Sequence, residues 1–437
     1  MAKLLEKRSD ESASAGVGRN FIAMMTLQLG AYAMSLATFP YLARVLGPHQ
    51  FGVFGYSLAI VAYGTTLTEW GFNLSGPRAV VECRNDPVRL NELIWSIVTG
   101  KAILCLVSLG ILCLAVSFDR QLAANLPVIL CSWIAVVANI FTMYWLMQGL
   151  ERFKLLAIVV LLARLLVLPL TFICVHDSND VVVAALIQAA GPFVAAAFSV
   201  WVAYRTGVLK RPCVSVASTW RRIAQGTDMF VATASVSLFS SANTVILGAT
   251  AGTYQVGIYA AADKIRNVGN IIPAQINQVF FPRVTALFKG NREEAARLTA
   301  KGLCAVQFVT IGIVIFFCFA ASSVSAVVLG KAYLGSATVL RLLSVCAIAG
   351  NFSYFVGLQI LVPFGEGKVR SMIMFSGGAV NVAVALFAIP RFGAQGAAIS
   401  LLIAELTIVA LYGIVVLRDR DLREYVISGF VRGKWKI

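Results

Sequence analysis

Apolar stretches of about 20 residues recur along this chain, each long enough to cross the hydrocarbon core of a bilayer as a helix. In 437 residues that are 59% hydrophobic and 13% charged, with a mean hydropathy of +0.83, that pattern excludes a soluble enzyme more firmly than any motif could. The fold class it predicts is an all-α integral membrane protein with twelve transmembrane helices. They are expected near 21–45, 51–70, 93–117, 126–149, 153–175, 181–204, 229–250, 254–284, 303–329, 336–361, 369–389 and 394–417. The first twenty residues are polar and mixed in charge, with no apolar core before a small-residue cleavage site. The first span is therefore expected to be retained as a signal anchor.

The charge is distributed by side. Loops after odd-numbered spans are short and hold few basic residues: Arg120, Lys331 and Arg391, with Arg44 close by. The other side collects Lys3, Lys7, Arg8 and Arg19, then Arg78, Arg84 and Arg89, then Arg152 and Lys154. It continues through the basic loop at 205–228, the loop from Arg283 to Lys301, and Lys368, Arg370 and the tail. By the positive-inside rule both termini are cytoplasmic. The net charge of +16 is thus mostly topological and calls for no nucleic-acid partner. The organisation expected is a cytoplasmic N-terminus at 1–20, a six-helix bundle at 21–204 and a cytoplasmic linker at 205–228. A second bundle at 229–417 and a basic tail at 418–437 follow. The tail reads either as an amphipathic helix, with Leu422, Tyr425, Val426 and Phe430 on one face, or as a short disordered segment.

One span is unlike the others. Between Gly252 and Phe288 a membrane-length segment carries Asp263, Lys264 and Arg266 well inside. At helical spacing Asp263, Arg266, Asn267, Asn270, Asn277 and Gln278 fall on one face, with Pro273 positioned to bend it. Such a stripe must look at protein or at a water-filled cavity. Further basic residues at membrane depth are Lys101 in span three and Arg164 in span five, with Arg341 nearer the outer surface. A charge at mid-membrane costs about 3 kcal/mol on insertion scales, so each demands a reason. Three acids are candidates for ion coupling, since a desolvated carboxyl can bind and release a proton: Asp263, Glu405 in span twelve, and Glu69 at the end of span two. Two structural readings stay open beside these. Asp263 could pair with a neighbouring cation and merely lock helices together, and Glu69 could be a cap or an ion-pair residue beside Arg78.

An internal repeat is also present. Gly47-Pro-His-Gln-Phe-Gly52-Val-Phe-Gly-Tyr56 aligns without gaps on Gly252-Thr-Tyr-Gln-Val-Gly257-Ile-Tyr-Ala-Ala261, each leading from an odd span to an even one. The repeat sets span one against span seven, each with a polar line at helical spacing: Gln28, Tyr32 and Ser35 in the first, Thr233, Ser237, Ser240 and Thr244 in the second. Two six-span halves are the expected outcome.

Several short runs carry a family resemblance. Ala43-Arg44-Val45-Leu46-Gly47-Pro48 with Gln50-Phe51-Gly52 resembles the opening signature of Wzx-type oligosaccharide flippases. This is the polysaccharide-transport branch of the superfamily that also holds the multidrug (MATE) exporters and the lipid II flippases. Glu69-Trp70-Gly71-Phe72-Asn73-Leu74-Ser75, Tyr144-Trp145 with Gln148-Gly149-Leu150-Glu151, Gly257-Ile-Tyr259-Ala-Ala-Ala-Asp263-Lys264 and Phe392-Gly393-Ala394-Gln395-Gly396-Ala397-Ala398 continue it in order. At Glu69 the family more often has an Asp-Phe-Gly-like start, a change that keeps the charge. The resemblance implies two six-helix bundles around a central cavity, working by alternating access in the inner membrane. It implies an undecaprenyl-pyrophosphate-linked glycan as cargo, with H+ or Na+ as a coupling ion. The polysaccharide polymerase and chain-length proteins are the protein partners it suggests.

The residues fit that expectation. A pyrophosphate head needs a hydrated, cation-lined groove, and Arg suits phosphate because its planar fork donates two parallel hydrogen bonds. Arg164, Lys264, Arg266, Lys101 and Asn270 are the candidate substrate-binding residues. No catalytic residue, metal or cofactor is expected: both histidines, His49 and His176, fall in loops, the nine cysteines lack metal-ligand spacing, and no phosphate-binding Gly-Lys-Ser/Thr loop is present. Two alternatives remain. A MATE-type multidrug or cation antiporter would line its cavity chiefly with acids and aromatics. A membrane glycan polymerase or ligase would need a sizeable outer loop, and those here are about ten residues or fewer.

Overall fold

The computed structural model describes residues 37–213 and 215–431. The polar line Gln28, Tyr32 and Ser35, the basic residues Lys3, Lys7, Arg8 and Arg19, and the end of the tail lie outside the described residues. So do the side chains of Lys154, Ser237 and Ser240. Among the described residues the regular structure is entirely helical. Seven helices are long and apolar enough to cross a membrane, and every expected span from 51–70 onward coincides with a described helix, a pair of helices or a helix leg.

In chain order the helices are α1 (37–69), α2 (Phe72–Cys83), α3 (Pro87–Phe118), α4 (Leu126–Phe141), α5 (Tyr144–Gly149), α6 (Phe153–Cys174) and α7 (Val181–Arg205). After these come α8 (Val216–Ala251), α9 (Thr253–Gly269), α10 (Ile271–Gly290), α11 (Arg292–Val328), α12 (Ser336–Val356), α13 (Gly367–Arg418) and α14 (Arg420–Val431). Starts are set by short polar side chains. Asp86 accepts from the backbone N–H groups of Val88 and Arg89 ahead of Pro87, and Asn291 caps α11 through Glu294 N, with Glu293 and Glu294 in its first turn. Each satisfies donors that the first helical turn leaves orphaned. Before α7, Asp177 caps Asn179 N while the Asp180 carboxylate accepts from the backbone N–H of His176 and Asp177. Those two donors hold the Asp180 carboxyl below its usual range. Its contribution to local order is therefore present at neutral pH and is lost as pH falls through the lowered value.

The described chain divides into two compact units, one of residues up to 46 and 60–233, the other of 47–59 and 234–437. The division falls inside α8, a continuous helix of 36 residues, and the 205–228 segment is stitched to the start of α3. Asn91 holds both Arg211 O and Lys210 N, Trp95 Nε1 donates to Lys210 O, and Ser218 donates to Glu92. In the first unit α1 ends where Trp70 takes a positive φ of 43° and Gly71 one of 73°. The Trp70 ring stacks on Phe230 at 3.9 Å and donates to Ile223 O.

The second unit contains the repeated hairpins, and they pack on each other reciprocally. A Cβ built on Gly52 would stand 1.7 Å from Thr253 O, and one on Gly257 would stand 1.9 Å from Pro48 O. In the ungapped alignment Gly52 corresponds to Gly257 and Pro48 to Thr253, so the two contacts are copies of one another. Gly55 and Ala260, also equivalent, face each other across the same crossing. Only glycine permits this approach of backbone to backbone. The hairpin also sets the last span. The 52-residue α13 is two legs meeting at Gly393 (φ 55°, ψ −130°), and Gln255 Oε1 accepts from Ala394 N at 3.1 Å, filling the space a Cβ at 393 would need.

The tail is helical over α14, with Leu422 and Tyr425 buried and the Tyr425 hydroxyl 2.9 Å from Thr299 Oγ1. Of its apolar face Leu422 and Tyr425 are taken by protein, Val426 is half-buried and Phe430 stays exposed. The crossing yields a direct test. Gly257→Val should destabilise the folded protein by at least about 1–3 kcal/mol, because the obstacle is backbone that cannot repack. Gly55→Ala, whose Cβ would meet Ala260 Cβ at an ordinary 3.4 Å, should be close to neutral. Thermal unfolding of the detergent-purified variants checks both.

Candidate functional site

In the first unit a cavity of about 490 Å³ is lined by residues from five expected spans, the first, second, fourth, fifth and sixth. Arg164 on α6 stands in it with Tyr144, Asn139, Thr142 and Gln188, and Thr38 and Thr65 contribute hydroxyls. Among the described lining residues Arg164 is the charged one, and none is acidic. The cavity sits where α4 breaks. The helix stops at Phe141 and restarts at Tyr144, with Thr142 N reaching back to Asn139 O and Thr142 Oγ1 to Ala138 O. Irregular backbone at membrane depth is tolerated only where it is buried in protein or lines a cavity.

Lys101 is a candidate of a different kind. It is 1% exposed, does not line the cavity, and its ammonium donates to Asn139 O at 3.2 Å and Asn139 Oδ1 at 3.0 Å. It thus places a cation against the last carbonyls of α4, the negative end of that helix. Glu69 has no cation within 4 Å among the described residues, Arg78 included.

In the second unit the expected single helix over 254–284 is two, α9 and α10, parted at Asn270. Pro273 explains the break, because its ring and missing N–H cannot continue the ladder from the preceding turn. Asp263 and Arg266 form an ion pair of 2.7 Å, one turn apart on α9, with side chains 27% and 20% exposed. Asn267 ties both together, giving its amide N–H to Asp263 and its oxygen to Arg266. Asn270 accepts from Asn351, which also donates to Thr310. Asn277 is buried, and its carbonyl takes a hydrogen bond from Gln359, within the π-helical turn Gly357–Leu361. Asn277 thus looks at protein and Asp263, Arg266 and Asn270 are half-buried, whereas Asn267 and Gln278 are exposed. Lys264 is exposed too, with no acid within 4 Å among the described residues. Glu405 accepts from Ser353 at 2.9 Å and packs over Gly350.

The structure thus brings Asp263, Arg266 and Asn267 into one cluster, and it places Arg164 in a cavity with residues that charge counting passed over. Asn139, Thr142 and Gln188 are neutral, and a lone amide in an apolar span is a weaker signal than a lone arginine. Their visible trace is polar residues at membrane depth near Tyr144-Trp145. Removing one member of the second cluster is expected to be costly. Asp263→Ala should lower stability by about 1.5–3 kcal/mol, the worth of a hydrogen bond to a charged group. Adding Arg266→Gln should recover part of that, and a double-mutant cycle on thermal unfolding measures it.

Comparison with known proteins follows the same lines. Residues 17–288 match the family described as polysaccharide biosynthesis protein. The "Putative O-antigen transporter" of Escherichia coli (strain K12) is 28% identical over 90% of this chain and 95% of its own. A protein of the same description from Shigella dysenteriae is 25% identical over 90% and 98%. Among solved structures, an inward-facing multidrug resistance MATE family transporter of the MOP superfamily superposes with a TM-score of 0.71 at 15% identity, over 90% of this chain and 96% of that one. The lipid II flippase MurJ, in an inward closed conformation, gives 0.71 at 11% identity, over 93% and 90%. At these identities the solved structures speak for the fold alone.

Proposed function

The chain belongs to the polysaccharide biosynthesis protein family, and on that premise we propose that it is a flippase, moving polyprenyl-pyrophosphate-linked oligosaccharide units from the inner to the outer leaflet. The observation that carries the reading is the Arg164 cavity, which offers one guanidinium, amides and hydroxyls, and among its described lining residues no carboxylate. A pyrophosphate is an acceptor-only dianion or higher, and a guanidinium fork meets two of its oxygens at once. Sugar hydroxyls find partners in the amides and hydroxyls around it. The polyprenyl tail has no need of the cavity and stays in lipid while the head crosses. A cation or drug exporter would want acids here, and the described lining residues supply none. The relatives described as O-antigen transporters support the cargo class.

Within this reading the carrier lipid is undecaprenyl, the site is the cytoplasmic (inner) membrane, and both termini are cytoplasmic. In the second unit Lys264, Arg266 and Asn270 are the residues that would meet the substrate. There Arg266 meets an anion only by exchanging Asp263 for it. Protonation of Asp263, or of Glu405 or Glu69, is the route by which H+ would couple to the cycle, with Na+ as the other coupling ion. Polysaccharide polymerase and chain-length proteins take the product on the far side.

Arg164→Ala should lower flipping of a defined polyprenyl-pyrophosphate glycan in proteoliposomes by roughly ten- to a hundredfold, the range for one lost charged contact. Arg164→Lys should restore it only in part. Full flipping by Arg164→Ala at normal insertion would remove the reading. The orientation has its own test, using Cys213, which is free and exposed in the 205–228 segment. As the sole cysteine it should resist an impermeant thiol reagent in spheroplasts. A cysteine replacing exposed Asn179 should react.

A further inference from the structure

Lys101 does not reach the cavity, yet it decides what one cavity residue offers there. An ammonium carries three hydrogens and no free lone pair, so the end of the Asn139 amide that it touches must be the oxygen. Both the backbone and side-chain oxygens of Asn139 are taken by this one buried cation. The other end of the amide is then NH2. Its two donors meet no protein acceptor among the described residues, while Asn139 lines the same cavity as Arg164. Without the lysine the amide could turn over and show its oxygen instead. Thr142, which follows Asn139 at the helix break, is held by the same turn through its bond to Asn139 O.

We propose that Lys101 is a positioning residue that fixes Asn139 as a hydrogen-bond donor beside Arg164, so that the cavity is polarised to select an acceptor-only phosphate group. This rests on the flippase reading and specifies the part of the cargo the site recognises. The cation works at one remove: its own charge is spent on the end of α4, and what the cargo meets is the oriented amide. Asn139 and Arg164 together hold phosphate oxygens, with the hydroxyls of Thr142 and Tyr144 close enough in the lining to serve the adjoining sugar.

Binding of farnesyl pyrophosphate to the purified full-length protein tests the idea, with thermal unfolding read in parallel. Asn139→Asp keeps the shape and gives Lys101 a charged partner, so it should unfold no earlier than the native protein. It turns a carboxylate oxygen toward the cavity, and affinity should fall by at least roughly tenfold. Lys101→Met should lose roughly tenfold as well, but nothing further in an Asn139→Ala background, because it acts through that amide. Native affinity in folded Asn139→Asp would overturn the proposal, as would an undiminished Lys101→Met effect in Asn139→Ala. Arg164→Ala separates the two levels. If it binds normally, the cavity is not the head-group site and the flippase reading of it fails. If it alone loses affinity, only the role of Lys101 fails.

Discussion

A lysine ammonium enclosed in a helix bundle must be met by oxygen on every side it faces, and Lys101 is met by both oxygens of Asn139. That pairing reconciles two liabilities. A charge in the apolar interior is costly, and so is a helix that stops at membrane depth with its last carbonyls unpartnered. Brought together, each removes the cost of the other. The break between Phe141 and Tyr144 is thereby stable, and the gap it leaves is part of the wall against which Arg164 stands. The cavity lies where the helix is interrupted, and a buried cation sits behind that interruption.

The second unit treats charge differently. Asp263 and Arg266 neutralise each other along one helix, Asn270 accepts from Asn351, and Asn277 is buried with its carbonyl bonded by Gln359. The two units do not share a way of handling polar groups. The first sets Arg164 in a cavity among amides and hydroxyls; in the second, opening of the Asp263–Arg266 pair would be a discrete event. Proton or ion coupling, if placed on Asp263, would act through that opening.

Much of the fold is legible in the residues. Apolar runs locate the helices, and the ungapped hairpin repeat anticipates two equivalent segments, which prove to lie against each other through Gly52 and Gly257. Breaks inside spans are less legible. Pro273 marks the one at Asn270, but nothing between Asn139 and Tyr144 resembles a helix stop. Lys101, which bonds to the helix's last turn, is 38 residues away, and no local rule reports so distant a partner. The same limit applies to the site. Arg164 stands out as a charge, while Asn139 and Gln188 acquire meaning only from what lies around them. Lys101 is visible as a buried charge, but its spacing does not say whether it faces cargo or a neighbouring helix. The start of the last span shows the reverse case, for Gly393 is plain in sequence and its need is explained by Gln255 occupying the place of a side chain.

The crossing of the two hairpins has a thermodynamic consequence. Its closest contacts are glycine against peptide carbonyl, so those contacts immobilise no rotamers, and glycine has no side-chain entropy to lose. A seam of leucines or lysines would stiffen many torsions on closing and release them on opening, and its strength would drift with temperature accordingly. A seam of bare backbone lacks that term. What holds it is short-range attraction with weak Cα–H to carbonyl contacts, which weaken steeply over about an ångström of separation. Such a joint is close to all-or-none, firmly seated when closed and without residual pull once parted.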